Sequence, residues 1–540
     1  MMHLSSGVQD LPDELVVEIL LYLDCRNVLR CSQTCRRLHA VVNASQGMQY
    51  IIELSLTGTV DGSPTSPLTT GERLQWLRTR KQRRRLFDPV KAFSLTIDCP
   101  FGDYVYDFVD GIFAFNYVDD STGVDISHLL AYDLSSNTES GQLLFHSRLD
   151  IVLVDFSIDP SRDLVAFSEL VSEHIANPEG PDVIIHLRSL SSGGIDPPPA
   201  ISKAKLEVTD DTLTEPDDID VALAGDMVAY FSQSTLYIWR WTTGALLIHW
   251  ELSTHHDWLN SFSFVSPSAF VIGESGTERG SLRLYALPSD DTTQTSLSPE
   301  DKQHTRFYLP ELKSGHSAIL STHIGPFSTS SDALFPADAV LLLFVTDINN
   351  LGRVAAELSY IIRVCVFEKN LPHRHPLDPA LPHSSAVSAQ SVRKVRWADW
   401  GPENSRIIPY ISDSMFAARG AHGSRAIISV HMDDDLHQAM AHTYFDFADA
   451  RDRAFLDSRL AGTAPVGPFA RAGRMRTQFR KELGGNRGVF EEAVQTSLSY
   501  HSIESIWERS EDELLLGDER IVRKIHFPDT GKLQLDVYDF

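Results

Sequence analysis

Cysteine is scarce in this chain of 540 residues, which has five cysteines, three of them at Cys25, Cys31 and Cys35. So few cysteines do not form the disulfide framework of a secreted protein, and they fit a reducing compartment. Cys31, Cys35 and His39 are spaced four residues apart, which on one helix would align three zinc ligands. A helix boundary in this stretch would break that alignment, so we predict small core residues here and no metal site.

Long apolar runs are absent as well. The sequence has no run of eighteen or more apolar residues, and residues 1–10 contain neither a basic segment nor an apolar one. These features argue against a membrane span and a secretory signal peptide. We therefore expect an intracellular protein, cytoplasmic or nuclear, that does not bind a membrane.

Basic residues are fewer than acidic residues in this chain. Lysine and arginine number 47 against 73 aspartates and glutamates, which gives a net charge of −26. This balance disfavours a nucleic-acid-binding surface, because such surfaces neutralise phosphates with basic residues. We expect no nucleic-acid partner and consider a basic protein surface the better match.

The local motifs of common enzymes are also missing. The sequence contains no Gly-x-Ser-x-Gly elbow, no glycine-rich phosphate loop before Lys-Ser/Thr and no His-Glu-x-x-His pair. We predict no catalytic residue and no cofactor. An enzyme assembled from distant loops stays open as an alternative, because such sites leave no local motif.

What the chain does have is an apolar stretch, residues 10–45, whose pattern predicts three short helices. Pro12 suits a first helical turn because it has no N–H to leave unpaired, Asp24 is a cap residue before the second helix, and Thr34 can start the third. The first helix is apolar over more than the usual arc, and a unit of about forty residues seldom folds alone. The sequence therefore predicts a partner surface on this helix.

The same stretch resembles an F-box. The resemblance rests on the spacing of Leu11-Pro12-x-Glu14-Leu15, Ile19-Leu20, Leu23-Asp24, Leu29-Arg30, Cys35-Arg36-Arg37 and Val41, with Leu38 where many F-boxes have an aromatic residue. In that family the motif docks on a Skp-type adaptor of a cullin–RING ubiquitin ligase. The resemblance implies adaptor contacts for Leu11, Pro12, Leu15, Ile19, Leu20, Leu23, Leu29 and Val41. A plain helical hairpin is the alternative.

Residues 46–90 are interpreted as a linker that contains a helix. Residues 57–68 are rich in glycine, proline, serine and threonine, which indicates a loop. A helix should start near Thr70, because Leu74, Trp76 and Leu77 then fall within one turn. The basic run 78–85 is typical of a solvated helix face, with a nuclear-import signal as the alternative.

From residue 91 onward, short runs of β-branched and aromatic residues alternate with turn residues, which predicts a mostly-β body. The run from Leu236 to Gly244 resembles the third strand and turn of a WD-type repeat, with Arg240 in place of the usual aspartate. Five positions, spaced 54, 53, 46 and 80 residues apart, are interpreted as equivalent: Tyr132, His186, Trp239, Tyr285 and Cys365. These spacings are roughly the length of a four-stranded blade with insertions, so we predict an irregular β-propeller, with a pair of β-sandwiches as the alternative.

Two insertions and a terminal strand complete the predicted body. Residues 371–390 are rich in proline and histidine, and residues 448–488 are rich in arginine, alanine and glycine. Residues 531–540 alternate apolar and polar side chains, which predicts a half-buried strand. In a closed ring this strand should complete the last blade, or pair with the first blade near residues 105–115.

Together these patterns predict an α+β multidomain protein. Its parts are an F-box-like domain at 10–45, a linker with a helix at 46–90 and a propeller-like body at 91–540. We expect the substrate-recognition subunit of a cullin–RING ligase, in which the body binds an unknown target protein. A propeller scaffold without a ligase role is the alternative.

Overall fold

The computed structural model describes two compact units. One is a helical unit within Met1–Asp88, and the other is a β body that comprises Pro89–Ala450 and Gly467–Asp539. The two predicted insertions fall mostly outside the described residues. The residues that are not described are 1–10, 58–67, 87–88, 100–103, 120–125, 136–139, 172–180, 200, 211–218, 233–234, 253–258, 289–293, 296–302, 327–338, 373–391, 411–419, 435–436, 448–475, 479–480, 484–488, 493, 497, 499, 508–512 and 518.

The helical unit contains five described helices: α1 (Asp13–Leu21), α2 (Cys25–Ser32), α3 (Arg36–Ala44), α4 (Gln46–Thr57) and α5 (Thr70–Leu86). The first three are the helices that the sequence predicts for residues 10–45. The range 46–90 holds two described helices where the sequence pattern predicts one.

Capping residues explain where these helices begin. Asp24 accepts a hydrogen bond from the backbone N–H of Asn27 at 2.8 Å, which satisfies an unpaired donor in the first turn of α2. Before α5, the N–H of Thr69 donates to the Glu72 carboxylate at 2.8 Å, and the N–H of Glu72 donates back to the Thr69 hydroxyl at 3.3 Å. The bonds from Thr69 hold the pKa of Glu72 below its usual value.

The β body is built from seven four-stranded antiparallel sheets, which we call blades 1 to 7 in chain order. Blade 1 contains Tyr104–Val109, Ile112–Asp119, Ile126–Asp133 and Gln142–Arg148. Blade 2 contains Leu153–Asp159, Leu164–Leu170, Val183–Ser189 and Lys205–Val208. Blade 3 contains Asp220–Ala224, Met227–Phe231, Thr235–Arg240 and Ala245–Glu251. Blade 4 contains Leu259–Ser266, Ala269–Glu274, Ser281–Ala286 and Thr305–Tyr308.

The remaining blades follow the same plan. Blade 5 contains Ser317–Ile324, Val340–Ile348, Val354–Arg363 and Ser405–Tyr410. Blade 6 contains Ala421–His422, Arg425–Asp434, His437–Asp446 and Tyr500–Trp507. Blade 7 contains Glu513–Leu516, Arg520–Phe527, Lys532–Asp539 and Val90–Asp98.

Short elements decorate the blades. Blades 3 to 6 each gain one short strand, in turn Gln294–Thr295, Arg393–Val395, Gly276–Thr277 and Arg476–Gln478. Lys481–Leu483 pairs separately with Val494–Thr496. The helical elements among the described residues of the body are α6 (Cys365–Glu368), α7 (Trp397–Asn404) and single 3₁₀ turns at Pro160–Arg162 and Pro528–Thr530.

The apolar cores lie between neighbouring blades. One cluster joins Phe113 of blade 1 to Leu535 of blade 7, and the next joins Leu129 of blade 1 to Phe156 of blade 2. Further clusters link the described residues of blades 2 to 6 in the same order. Because each sheet packs against the sheet on either side, the body is a β-propeller and not a pair of sandwiches.

The two ends of the β body meet in blade 7. Lys532–Asp539 pairs with Arg520–Phe527 on one side and with Val90–Asp98 on the other, so the strand completes the last blade as predicted. The alternative pairing with residues 105–115 is wrong. The strand is also more buried than expected, because Asp536 and Tyr538 on its polar face are covered as well as Leu535 on its apolar face.

One of the five equivalent positions was assigned wrongly. Tyr132, His186, Trp239 and Tyr285 all lie in the third strand of their blades, but Cys365 begins α6. The third strand of blade 5 is Val354–Arg363, and the apolar run of the sequence simply continues past its end. A mostly apolar run does not reveal where a strand ends and a helical turn begins.

Polar side chains of the first strands connect the blades. The Asp107 carboxylate of blade 1 accepts the backbone N–H of Ile158 in blade 2 at 3.0 Å. The Asp155 carboxylate of blade 2 accepts the N–H of Val221 in blade 3 at 2.8 Å. These bonds fix the spacing of neighbouring blades.

Candidate functional site

The helical unit has a small core of its own. Val16, Val28, Val42 and Met48 are buried together with Leu20 and Val41, whose exposed fractions are 5% and 6%. Leu20 comes from α1 and Val41 from α3, so these two side chains hold the helices together. Their burial leaves them little surface to offer a partner, although the resemblance implied adaptor contacts for both.

A different set of apolar side chains faces the solvent. Leu15 is 50% exposed, Ile19 51% and Tyr22 88%, and Pro12 and Leu29 are exposed too. Positions 12, 15, 19 and 22 follow helical spacing along one side of α1. We call Pro12, Leu15, Ile19, Tyr22 and Leu29 the apolar face. A group of large apolar side chains in solvent marks a binding surface more often than scattered single residues do.

Two more of the predicted adaptor residues, Leu11 and Leu23, are partly buried against the core of the unit. Leu11, Pro12, Leu15, Ile19, Leu23 and Leu29 therefore all retain some surface. Tyr22 was missed, because its position at the end of α1 lies between the residues that the resemblance supplied. Helical spacing from Leu15 and Ile19 is the signal that identifies it.

The structure contains the helix boundary that the sequence predicts between Cys31 and Cys35. Cys31 lies in α2, which ends at Ser32, and Cys35 caps the next helix by accepting the N–H of Leu38. Within the described part of the chain, no group of three or more histidine, cysteine, aspartate or glutamate side chains could hold a metal ion.

The β body contains a second candidate site, a cavity of about 650 Å³ at the centre of the ring. Its walls come from the first strands of blades 1 to 5 and from blade 7, so it is the central channel of the propeller. The side chains that carry formal charge on its walls are Asp107, Asp155, Asp159, Asp220, Glu513 and Lys524. No arginine is among the described residues that line it.

The cation on this wall, Lys524, is held by its neighbours. Its ammonium nitrogen lies 2.6 Å from a Glu513 oxygen and 3.7 Å from the centre of the Tyr106 ring. Burial lowers the pKa of Lys524, and the attraction of Glu513 opposes that effect without cancelling it. The Tyr106 hydroxyl also donates to Glu513.

One comparison with known proteins concerns the helical unit. A profile of F-box-like domains matches residues 8–46. No curated protein matches the chain. Among solved structures, the WD40 domain of SCAP from fission yeast is similar at 8% identity and a TM-score of 0.31, over 83% of this chain and 96% of that one. Kluyveromyces lactis Hsv2p is similar at 12% identity and a TM-score of 0.22, over 49% and 93% of the two chains.

The chain thus carries an F-box-like domain at residues 8–46, followed by a seven-bladed β-propeller body. None of the described helices has the length and apolar character needed to cross a membrane.

Proposed function

We propose that this protein is a substrate-recognition subunit of a cullin–RING ubiquitin ligase. Its F-box-like domain binds a Skp-type adaptor, and its propeller binds a target protein in the cytoplasm or nucleus. The observation that carries the proposal is the apolar face on a domain that matches the F-box-like profile. Burying one leucine or isoleucine is worth about 1.5–3 kcal/mol, so covering Leu15 and Ile19 supplies a substantial part of a stable contact.

The propeller suits the second half of this role. Its ring is closed by the pairing of Val90–Asp98 with Lys532–Asp539, so the scaffold is rigid and presents a channel and many loops to a target. A receptor of this kind makes and breaks no bonds. It raises the local concentration of the target's lysines near the activated ubiquitin thioester.

The experiment is to compare target turnover in cells that express matched variants of the full chain. Leu15→Ala with Ile19→Ala removes the centre of the apolar face. Leu351→Ala with Val354→Ala removes two aliphatic side chains of the β body that are even more exposed, at 76% and 60%, and serves as the control. Proteins captured under proteasome inhibition with both variants are the candidate targets.

We expect the captured targets to be ubiquitylated and degraded with the wild type and the control, and to accumulate unmodified with the apolar-face variant. The alternative function is a scaffold that holds partners without marking them. Equal ubiquitylation and equal half-lives of the captured proteins with all three chains would overturn the receptor proposal and favour the scaffold.

A further inference from the structure

The outer edges of several blades are covered by the chain itself. The fourth strands of blades 3, 4 and 6 each pair with one short added strand, in turn Gln294–Thr295, Arg393–Val395 and Arg476–Gln478. The first two of these added strands run parallel to the strand that they cover. The rim of this propeller therefore accepts extended segments as fifth strands, a mode of binding in which main-chain hydrogen bonds make the contact.

The fourth strand of blade 1, Gln142–Arg148, has no added strand within the described part of the chain. We call this strand the blade 1 edge. Sheet edges are usually protected from pairing by a short strand, a proline or a lysine. The outer strand of blade 2 is short, that of blade 5 contains Pro409 and that of blade 7 contains Lys91. The blade 1 edge has seven residues with neither proline nor lysine, and Leu143 and Leu144 on it are 47% and 42% exposed.

Blade 3 has an edge of the same design, and that edge is covered. In both blades a bulge adds one residue to the fourth strand, Leu144 in blade 1 and Leu247 in blade 3. Blade 3 pairs with its added strand directly after the bulge, through Ile248 and His249. The bulge therefore does not prevent an added strand from pairing beyond it. The two residues of blade 1 at the corresponding positions are Phe145 and His146.

These corresponding positions differ in burial. In blade 3, Leu247 is 0% exposed and Ile248 is 3% exposed. In blade 1, Leu144 is 42% exposed and His146 is exposed as well. Positions that blade 3 buries therefore lie at the surface in blade 1. An occupant with apolar side chains at alternate positions would remove this apolar surface from water.

The far end of the blade 1 edge is basic. Arg148 is exposed and lies opposite His128 across the sheet, and the Nδ1 of His128 lies 3.2 Å from the Nε2 of His146. The nearby Asp150 already pairs with Arg188 at 2.7 Å. In a parallel arrangement, the carboxyl-terminal part of an added strand lies beside Arg148, and opposite charges on neighbouring strands favour pairing. An acidic side chain in that part of the occupant therefore fits this edge.

We propose that the blade 1 edge binds an extended segment of the target protein as a parallel fifth strand. The segment places apolar side chains over Leu143 and Leu144 and an acidic side chain beside Arg148. The inference rests on the proposed function in one respect, which is that the segment belongs to a target. A second copy of this chain is the other occupant that the test distinguishes.

The test measures binding of a fluorescently labelled peptide, acetyl-Gly-Ile-Thr-Val-Thr-Glu-Gly-amide, to the full-length protein by anisotropy. In an extended strand its isoleucine, valine and glutamate share one face, so in parallel pairing they lie beside Leu144, His146 and Arg148. We expect binding at a peptide concentration below about 1 mM. Absence of binding at that concentration would overturn the proposal.

Two further peptides test whether the contact is made by the main chain. One carries N-methyl groups on both threonines, and the other carries them on the isoleucine and the valine. Only alternate residues of an added strand direct their N–H groups at the blade, so we expect one of the two peptides to bind at least about tenfold more weakly and the other within about threefold of the parent. Equal affinities of the two N-methylated peptides would overturn strand addition.

The edge variant is Leu143→Thr with Leu144→Thr, which removes apolar surface and keeps side chains that suit a strand. Leu351→Thr with Val354→Thr makes a matched exchange at two exposed positions of the blade 5 hairpin and is the control. Both pairs are exposed, so the melting temperatures should stay close to that of the wild type. We expect the edge variant to bind the peptide at least about fivefold more weakly and the control within about twofold of the wild type. Unchanged binding by the edge variant would overturn the proposal.

Arg148→Gln, combined with a peptide that has glutamine in place of glutamate, tests the orientation of the added strand. Each exchange alone should weaken binding about threefold, and the two together should weaken it no further, because both remove the same exposed ion pair. Additive losses would overturn the parallel orientation.

Sedimentation of the wild type and the edge variant identifies the other occupant. A wild-type dimer that becomes a monomer in the edge variant would overturn the proposal, because the edge would then bind a second copy of the chain. Capture of the adaptor is measured in parallel. Absent peptide binding with intact adaptor capture overturns the edge inference alone, whereas failed adaptor capture by a wild type that binds the peptide overturns the proposed function alone.

Discussion

Arg37 of α3 holds Asp13 at the first turn of α1. Its Nε donates to the Asp13 carboxylate at 3.0 Å and its Nη2 at 2.7 Å, and Nη2 also donates to the backbone carbonyl of Leu11. One guanidinium therefore fixes both the Leu-Pro entry and the start of the helix that carries the apolar face. The position of the apolar face therefore depends on Arg37, which is not one of its members.

Arg37→Ala should weaken adaptor binding by about three- to tenfold, because the entry at Leu11 and Pro12 loses its anchor. The ion pair is partly exposed, so the melting temperature of the protein should change little. Arg36→Ala removes the exposed neighbouring arginine and is the control. Both quantities can be measured on the purified chain by calorimetry. Equal adaptor affinities of the two variants would contradict the anchoring role.

Leu20→Ala and Leu15→Ala should separate folding from binding. Leu20 is buried in the helical unit, and truncating a buried leucine costs about 2–5 kcal/mol of stability. Leu15 is half-exposed, so its truncation should spare stability and weaken adaptor binding. Thermal unfolding monitored by helical circular dichroism, together with adaptor titration, distinguishes the two. A stable Leu20→Ala protein with lost adaptor binding would place Leu20 in the interface after all.

The sequence was sufficient for the first three helices, the start of α5 and the strand repeat, because these depend on local chemistry, but it did not predict α4. Asp24 caps α2, and α5 begins at Thr70 as expected. The sequence was not sufficient to decide which side of α1 is buried. The resemblance implied adaptor contacts for Leu15, Ile19 and Leu20 alike, and only the packing of α3 and α4 against α1 buries Leu20 while it leaves Leu15 and Ile19 in solvent.

The central channel could not be predicted from the sequence, for a different reason. Asp107, Asp155 and Asp220 are far apart along the chain and belong to three blades, and the closure of the ring brings them to one cavity. Asp107 lies within the first strand of blade 1, and the turn that follows the strand is formed by Asp110 and Gly111, with φ angles of 49° and 82°.

Deleting residues 532–540 should destabilise the β body. The strand Lys532–Asp539 pairs on both sides, so its loss leaves two unpaired strand edges in blade 7. We expect a lower melting temperature and aggregation in light scattering. Leu535→Ala, at a fully buried position, should lower the melting temperature as well, and Gln534→Ala beside it should do so much less. A monomeric deletion variant with the melting temperature of the wild type would show that this strand does not close the ring.

Asp536 should make ring closure sensitive to acid. Burial alone would raise the pKa of its carboxyl, but hydrogen bonds from Gln534, Ser94 and Lys91 outweigh burial, and the net pKa is lowered. A carboxyl with a lowered pKa in the folded state stabilises that state above the unfolded value of about 3.9, and the contribution disappears as the pH falls through the folded pKa.

The corresponding prediction compares Asp536→Asn with the wild type across pH. The variant should melt a few degrees lower at pH 7, and the difference should shrink below about pH 4, as the wild-type carboxyl becomes protonated. Asp529→Asn, at an exposed turn, should follow the wild type throughout. A difference that stays constant from pH 7 to pH 3 would show that the charge of Asp536 does not contribute to closure.

The most direct test of the account is titration of the purified full-length protein with a purified Skp-type adaptor by isothermal calorimetry. We predict a complex of one chain with one adaptor, unchanged in Leu351→Ala with Val354→Ala and at least about tenfold weaker in Leu15→Ala with Ile19→Ala. Each of these two side chains is half exposed, so the adaptor covers about half of the area that is worth about 1.5–3 kcal/mol on full burial. Absence of binding by the folded wild-type protein, or equal affinity of the apolar-face variant, would contradict the assignment of this face to the adaptor.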